Sequence, residues 1–193
     1  MENKLKAVVT GGAGFVGSNL VNFLIDQGVI VTVIDNLVAG KSERVNPAAR
    51  LVVADIRDRE AIAPAFAGAD YVFHLAALPR VQYSIEHPAE THEVNVTGTM
   101  NVLLAAREAK VKRVIYSASS SAYGDQTLMP LHEDLPANPK SPYGLHKYLG
   151  ELYCRVFSEV YNLPTVSLRY FNVYGPGQDP DGPYALVIGR FLK

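Results

Sequence analysis

The feature that most constrains the fold is a glycine-rich turn between a short β-rich run and a helical pattern. Residues 5–9 favour a strand, and the turn TGGAGFVG follows at residues 10–17. Apolar residues then recur at helical spacing until Gly28, and a second β-rich run over residues 29–34 ends in Asp35. This order predicts a βαβ unit that opens a doubly wound, mostly parallel α/β sheet of the Rossmann type, with helices on both faces.

The glycines of the turn and the acid after the second strand each have a chemical reason for their position. Gly11 permits a tight turn, Gly14 lets the backbone approach a pyrophosphate, and Gly17 lets the helix lie close to the sheet. The helix N-terminus supplies N–H groups and a positive dipole end for phosphates. Asp35 is placed to accept hydrogen bonds from ribose hydroxyls, and its charge repels a 2′-phosphate, which predicts NAD rather than NADP. The alternative is a glycine-rich turn followed by a chance aspartate.

Composition excludes several other classes of protein. The 193 residues suit one sizeable domain, or one domain and part of a second, and a hydrophobic content of 48% is typical of a globular core. A net charge of −1 without a basic run predicts no nucleic-acid partner, and no apolar stretch is long enough to span a membrane. No signal peptide precedes the first strand, and the single Cys154 cannot form an intramolecular disulfide, which together favour a cytoplasmic location. The histidines lack metal-ligand spacing, so no metal is expected.

A second motif, SPYGLHK at residues 141–147, predicts a helix with a tyrosine and a lysine on one face. Ser141 suits an N-cap and Pro142 the first helical turn. Tyr143 and Lys147 are four residues apart, so their side chains project from the same side. An ammonium near a phenol favours the phenolate and lowers its pKa from about 10, which creates a general base. Taken alone, the pair also fits an ordinary amphipathic helix.

With Thr10 in front, the spacing G-x-x-G-x-x-G resembles that of the short-chain dehydrogenase/reductase superfamily. The strand-end run YSASSSAYG at residues 116–124 narrows the resemblance to the extended branch, the nucleotide-sugar epimerases and dehydratases. The resemblance implies that Ser119, four residues before the Tyr-Gly pair, hydrogen-bonds the reacting sugar oxygen. Tyr143 is then the base and Lys147 its activator. The alternative for the serines is a polar turn.

The same resemblance implies how the rest of the site is built. Asn95, within a helix predicted over residues 89–109, supports the cofactor and the catalytic geometry. Tyr170 flanks the nicotinamide, and Asn172 faces the substrate. The predicted cofactor contacts are Gly11, Gly14, Phe15, Val16, Asp35, Asn36, Asp55, Ile56, Leu75, Ala76, Ala77, Asn95, Tyr143, Lys147 and Tyr170, and the predicted substrate contacts are Ser84, Ser119 and Asn172.

Residues 79–88 are predicted to form a loop at the carboxyl end of a strand, where α/β sheets bind ligands. Arg80, Gln82 and Ser84 could reach a substrate from such a loop, and an ordinary solvated loop accounts for them equally well. His74 lies in an apolar strand, which favours a packed core histidine over a ligand.

The residues directly after Ser119 indicate the kind of reaction. Dehydratases of the branch carry acidic residues there, and decarboxylases tend to carry a glutamate nearby, whereas this chain has Ser120 and Ser121. The resemblance therefore implies NAD-dependent 4-epimerisation of a nucleotide-linked hexose, of the UDP-glucose/UDP-galactose type, through a transient 4-keto sugar. Two alternatives stay open: a non-catalytic or truncated NAD-binding module, and a nucleotide-sugar reductase or dehydrogenase with the same three residues.

The predicted domain organisation is an NAD-binding domain over residues 1–175 and the start of an incomplete substrate-binding region over residues 176–193. The helix predicted after Pro142 carries more apolar residues than one face requires. Together with residues 89–109, residues 142–161 are predicted to pair with a second copy in a homodimer. The alternative is that another part of the same chain covers them.

Overall fold

A computed structural model describes residues 4–179 and residue 191. Six strands form one sheet in the order β3-β2-β1-β4-β5-β6, and every described strand pair is parallel. This is the strand order of the doubly wound fold, whose ligands bind where the order reverses, here between β1 and β4. The predicted fold class is confirmed. The strands are β1 Lys6–Thr10, β2 Ile30–Asp35, β3 Arg50–Val53, β4 Tyr71–His74, β5 Arg113–Ser119 and β6 Thr165–Tyr170.

Within residues 4–179, six α-helices connect and cover the strands. They are α1 Phe15–Asp26, α2 Arg59–Ile62, α3 Val81–Glu86, α4 Pro88–His92, α5 Gly98–Glu108 and α6 Pro142–Tyr161. Short 3-10 turns lie at Ser42–Arg44, Ala63–Phe66 and Ser120–Ala122, and a π-helical turn lies at Glu93–Thr97. None of the helices in the described part is long and apolar enough to cross a membrane.

The sheet has a core on each face, because successive residues of a strand point to opposite sides. On β1, Val9 packs with Val21 of α1 in the smaller core. Its neighbour Val8 belongs to the larger core, which α5 and α6 complete with residues such as Val102 and Phe157. The predicted βαβ unit is therefore in place, with α1 on one face and α5 and α6 on the other.

Helix α6 begins and ends as the sequence predicts. Ser141 Oγ accepts a hydrogen bond from the Gly144 amide at 3.1 Å, and Pro142 occupies the first turn. Gly150 allows close packing on the sheet, since a Cβ there would lie 2.2 Å from the hydroxyl of Tyr116. Asn162 ends the helix in the left-handed conformation.

Two sequence predictions are corrected by the structure. Residues 79–88 are not a loop, because α3 lies between the two flanking prolines and α4 starts at Pro88. Tertiary contact stabilises this short helix: the hydroxyl of Ser84, at its centre, bonds to the first turn of α6. The helix expected over residues 89–109 is one helical path that changes to a π-helical turn at Glu93–Thr97, a feature that apolar periodicity does not indicate.

The segment predicted to begin a substrate-binding region, residues 176–193, lies largely outside the described residues. Its first residue turns back towards the glycine-rich end of the sheet, where Asn19 Nδ2 of α1 donates to the carbonyl of Pro176 at 2.9 Å.

Candidate cofactor and catalytic site

The glycine turn between β1 and α1 has the geometry of a phosphate cradle. Gly11 has φ +72°, and a Cβ there would lie 2.7 Å from the Ala76 amide nitrogen. A Cβ at Gly17 would lie 2.1 Å from the carbonyl oxygen of Gly11, so the close approach of α1 requires glycine. At Gly14 a Cβ would meet only the Gly11 oxygen, at 3.3 Å, and its other side is open. The amides of Phe15 and Val16 lie in the first turn of α1, where N–H groups have no intrahelical acceptor.

Asp35, the last residue of β2, is held beside this turn by backbone amides. Its carboxylate accepts hydrogen bonds from Ala13 N at 3.0 Å and from Leu37 N at 2.9 Å. Gly40 closes the following loop over the carboxylate, since a Cβ there would lie 2.8 Å from Asp35 Oδ1. The acid is therefore fixed in position at the end of the first crossover.

The predicted cofactor residues Asn36 and Asp55 contact each other across neighbouring strand ends. Asn36 Nδ2 donates to Asp55 Oδ2 at 2.9 Å, and Arg57 forms a two-pronged ion pair with the same carboxylate. The hydrogen bond from the Arg57 side chain is the main cause that holds the pKa of Asp55 well below its usual range. Ile56 is buried and packs closely on Gly98. A Cβ added to Gly98 would lie 2.6 Å from Cδ1 of Ile56.

The chain leaving β4 crosses directly over the glycine turn. Leu75 N donates to the carbonyl of Thr10 at 3.1 Å, and Ala76 N donates to its hydroxyl at 3.3 Å. Asn95, in the π-helical turn, accepts from Leu78 N at 2.8 Å and donates to Leu78 O at 3.0 Å. Both ends of its amide are thus used to hold the backbone next to Ala77.

The three predicted catalytic residues lie on β5 and α6, two elements that pack against each other. Ser119 is the last residue of this strand, and its Oγ accepts from the Ser121 amide at 3.1 Å. Tyr143 is half-buried in the first turn of α6. Lys147, one turn later on the same face, is 4% exposed and donates from Nζ to the carbonyl of Ser117 at 2.8 Å. The hydrogen bond to Ser117 joins α6 to the strand that ends in Ser119.

The electrostatics of this corner follow from burial. Lys147 Nζ lies 5.1 Å from the ring centroid of Tyr116, and burial lowers the pKa of Lys147 to about 8. Burial raises the pKa of Tyr116 well above its ordinary value, with Tyr143 among the nearby groups that add to the rise. Tyr116 therefore stays a neutral phenol beneath the site.

The predicted substrate residues lie in different surroundings. Ser84 is fully buried: its hydroxyl donates to Val81 O at 2.6 Å and accepts from the Tyr143 amide at 3.0 Å. The described geometry thus places Ser84 behind Tyr143 rather than at an accessible surface. Asn172 is exposed two residues beyond Tyr170, which is the register partner of Ser119 on β6.

Sequence reasoning missed several of these contacts. The Ser84–Tyr143 hydrogen bond joins residues 59 positions apart, and no local pattern predicts such a pairing. Arg57 carried a usable signal, because a basic residue two positions after a strand-end aspartate can pair with it. His74 is a packed core histidine as predicted, at 1% exposure. Within residues 4–179 and 191, no group of three or more His, Cys, Asp or Glu residues could hold a metal ion.

The open face at Gly14, the free amides of α1 and the fixed carboxylate of Asp35 fit a dinucleotide. A tyrosine and a lysine spaced by one helical turn lie at the neighbouring strand end. The fold and this site define a dinucleotide-binding domain of the Rossmann type.

Comparison with known proteins agrees with that class. The family model "NAD dependent epimerase/dehydratase family" matches residues 7–193, and the chain belongs to this family, whose cofactor is NAD. A relative from Mycolicibacterium smegmatis, UDP-glucose 4-epimerase, is 38% identical over 204 residues, covering 98% of this chain and 65% of the relative.

Two solved structures are similar over nearly the whole chain. UDP-N-acetylglucosamine 4-epimerase from Methanobrevibacter ruminantium superposes with a TM-score of 0.92 at 41% identity, covering 98% of this chain and 62% of that one. UDP-glucose 4-epimerase from Thermus thermophilus, in complex with NAD, superposes with a TM-score of 0.88 at 39% identity, covering 94% and 60%. The chain thus spans between 60% and 65% of the length of each of these three proteins.

Proposed function

We propose that this chain is the cofactor-binding and catalytic part of an NAD-dependent 4-epimerase acting on a nucleotide-linked hexose. The observation that carries the proposal is the arrangement of Tyr143 and Lys147 on one face of α6, against the strand that ends in Ser119. This corner lies at the carboxyl edge of the sheet, and only β4 separates β5 from β1, the strand that leads into the glycine turn. A base and a dinucleotide site thus lie together, as oxidation of a secondary alcohol requires.

The proposed role of Tyr143 is to hold the proton that the C4 hydroxyl of the sugar gives up and later regains. Lys147 assists because its ammonium favours the phenolate form of a neighbouring tyrosine. Ser119 orients the C4 oxygen by a hydrogen bond. Ser84 supports this chemistry indirectly, through the backbone amide of Tyr143.

The residues proposed to hold NAD follow the path of the glycine turn. Gly11, Gly14 and the amides of Phe15 and Val16 bind the pyrophosphate, and Asp35 binds the adenosine ribose. Bound NAD supplies a hydride acceptor that returns the hydride within the same turnover. Ala76 and Ala77 line the backbone path beside it, Lys147 also hydrogen-bonds the nicotinamide ribose, and Tyr170 flanks the nicotinamide. The proposed adenine contacts are Asp55 and Ile56, with Asn36, Leu75 and Asn95 as the remaining cofactor residues.

Epimerisation is preferred over elimination because of the residues after Ser119. Ser120 and Ser121 form the short turn that follows β5, and neither side chain can exchange protons as a carboxylate does. A 4-epimerase needs only one proton acceptor and a reversible hydride transfer. The proposed substrate is a UDP-hexose, with Asn172 facing its sugar or diphosphate. Its support is that the relative from Mycolicibacterium smegmatis and the similar structure from Methanobrevibacter ruminantium are named as 4-epimerases of UDP-glucose and UDP-N-acetylglucosamine.

The test is conversion of UDP-galactose to UDP-glucose by the 193-residue protein without added NAD. Product, with no net consumption of nicotinamide, supports a 4-epimerase that retains its cofactor. In a parallel assay with added nicotinamide cofactor, consumption of one nicotinamide per sugar would indicate a reductase or dehydrogenase. NAD in the denatured protein without any product would favour a cofactor-binding module, consistent with the 60–65% coverage of the similar proteins.

Variants separate binding from chemistry in this assay. Tyr143→Phe is expected to keep its NAD content and to lose activity, because the ring remains and only the ionisable hydroxyl is removed. Tyr148→Phe is the matched control, since it removes a hydroxyl from the same helix without altering the Tyr143–Lys147 pair. Unchanged turnover in Tyr143→Phe would refute the assignment.

The proposed assembly is a homodimer formed through α6 and the helical path of residues 89–109. Its support is a stripe of apolar residues along α6, in which Leu145, Val156 and Val160 are all exposed. The proposed location is the cytoplasm, supported by a single cysteine, Cys154, that is buried and has its pKa raised to about 12 by burial.

A further inference from the structure

A chain of buried hydrogen bonds connects the glycine turn to α5 through His74. Thr10 Oγ1 lies 2.7 Å from His74 Nδ1, and His74 Nε2 lies 2.9 Å from Thr99 Oγ1. The outer ends of the chain are backbone groups: Ala76 N donates to the Thr10 hydroxyl, and the Thr99 hydroxyl donates to the carbonyl of Asn95 at 2.7 Å. All three side chains are at most 1% exposed.

The contacts select one form of the histidine ring. The single hydroxyl proton of Thr99 goes to Asn95 O, so Thr99 Oγ1 must accept from Nε2–H of the ring. Nδ1 is then the unprotonated nitrogen and accepts the hydroxyl proton of Thr10, whose oxygen accepts from Ala76 N. In the opposite tautomer the Thr10 hydroxyl would lose this acceptor, and a buried donor without a partner is costly.

The surroundings of the ring also favour the neutral form. Burial lowers the pKa of His74 to about 3, and the positive charge of Lys147 adds to the effect. The ring of Tyr116 lies between the two groups, 5.6 Å from the His74 ring centroid and 5.1 Å from Lys147 Nζ. Because His74 is neutral, the buried region contains no second positive charge that would repel the Lys147 ammonium.

We propose that His74, as a neutral ring protonated on Nε2, is a positioning residue that fixes the backbone of Ala76 against the glycine turn. Gly11 and Ala76 approach so closely that a Cβ on Gly11 would lie 2.7 Å from the Ala76 nitrogen. Asn95, at the other end of the chain, holds Leu78 by two hydrogen bonds. His74 thus couples three parts of the cofactor site that are distant in sequence. The inference rests on the proposed function only through NAD binding.

The first test reads the ring directly, in the unmodified protein. With ¹⁵N-labelled histidine, His74 is expected to show a protonated Nε2 and an unprotonated Nδ1 from pH about 5.5 to 8.5, on either side of the ordinary pKa of about 6.5. The signal is assigned by its loss in His74→Phe. A ring protonated on Nδ1, or one that titrates in this range, would overturn the proposal.

The second test uses a pair of variants that leave His74 in place. Thr99→Val keeps the shape of the side chain and removes the acceptor, and we expect about tenfold weaker NAD binding, as for the loss of one buried hydrogen bond. Thr99→Ser restores the hydroxyl and should bind NAD within about twofold of the unmodified protein. The Ala76 amide resonance should shift in Thr99→Val and return in Thr99→Ser.

A core variant outside the network separates positioning from general destabilisation. Ile62→Ala opens a cavity at a fully buried apolar residue whose side chain takes no part in the chain of hydrogen bonds. It is expected to lower Tm and to leave NAD affinity unchanged. Equal NAD affinities in Thr99→Val and Ile62→Ala would contradict the proposal. Neither test depends on UDP-hexose turnover, so a failure here is distinct from a failure of the epimerase assignment.

Discussion

At the residue scale, Lys147 links the energetics of the fold to the proposed chemistry. Its pKa falls to about 8 on burial, below the ordinary value of about 10.4. Between these values the unfolded chain binds the proton more tightly than the folded one, so the free energy of unfolding rises with pH across this window. Keeping this ammonium buried at neutral pH costs about 3 kcal/mol.

The prediction compares Lys147→Met with the unmodified protein by urea denaturation at several pH values. Between pH about 7 and pH about 10, the free energy of unfolding of the unmodified protein should rise by about 2 kcal/mol relative to that of Lys147→Met. Only the unmodified protein has a buried lysine that loses its proton in this range. Lys112→Met is the control: Asp70 raises the pKa of this exposed lysine, so no such gain is expected. A difference that stays constant with pH would show that Lys147 is not titrating in the core.

Asp35 is the residue to which we assign the choice between NAD and NADP. Its buried carboxylate lies beside the glycine turn, where a 2′-phosphate would bring a second negative charge. Asp35→Ala is expected to narrow the ratio of NAD to NADP affinity by about tenfold or more, equal to about 1.4 kcal/mol. Asp70→Ala removes the same charge at the amino end of the strands, where Asp70 accepts a hydrogen bond from the Lys6 amide. This variant should leave the ratio of NAD to NADP affinity unchanged. An unaltered ratio in Asp35→Ala would mean that the acid does not face the ribose.

At the element scale, the β1–α1 turn contains two glycines that are required for different reasons. A Cβ at Gly17 would collide with backbone atoms of Gly11 and Gly12, which cannot move without breaking the turn. Gly17→Ala is therefore expected to cost about 3 kcal/mol of stability or more, measured by urea denaturation.

Gly14→Ala is the matched variant in the same turn. Its φ of −79° suits alanine, and the added Cβ would have only a 3.3 Å contact, so stability should change by less than about 1 kcal/mol. The Cβ would occupy the open side of the turn, and NAD affinity should fall by about tenfold or more. Similar effects of the two substitutions on stability would contradict this division of roles.

The same contrast explains how much could be predicted from the sequence. The βαβ unit and α6 follow from local rules: glycine spacing, apolar periodicity, and a serine cap before Pro142. Helix α3 does not, because its six residues lie between prolines and its stability depends on the contact of Ser84 with α6. The π-helical turn contains Asn95, whose side chain makes two hydrogen bonds with the backbone of Leu78, and no local window of sequence contains this contact.

The site divides in the same way. Residues on strand ends and in the first turns of helices are predictable, since topology brings the carboxyl ends of parallel strands to one edge. The supporting contacts join residues 59 or 64 positions apart, as for Ser84 with Tyr143 and Thr10 with His74. Such pairs are defined only once the sheet is assembled.

At the scale of the whole molecule, the sheet is covered unevenly. Helix α1 packs beside β1 and β2 on one face, and α5 and α6 complete the core on the other. On β6, Val166 and Leu168 pair in register with Ile115 and Ser117, and both remain 38% exposed. Two apolar surfaces are therefore available: this one on β6, and the outer stripe of α6.

The last prediction decides whether the α6 stripe joins two copies. Leu145, Val156 and Val160 recur at spacings of eleven and four residues, which places them on one side of the helix, and Val160 is 63% exposed. We expect a dimer in sedimentation velocity, and we expect Val160→Glu to shift it to monomer, because a carboxylate would lose its water in an apolar interface. Phe23→Glu places the same charge on an exposed apolar position of α1 and should leave the dimer intact. If Val160→Glu stays dimeric, the contact lies on another surface, and the exposed residues of β6 become the candidate, since unpaired strand edges also promote association.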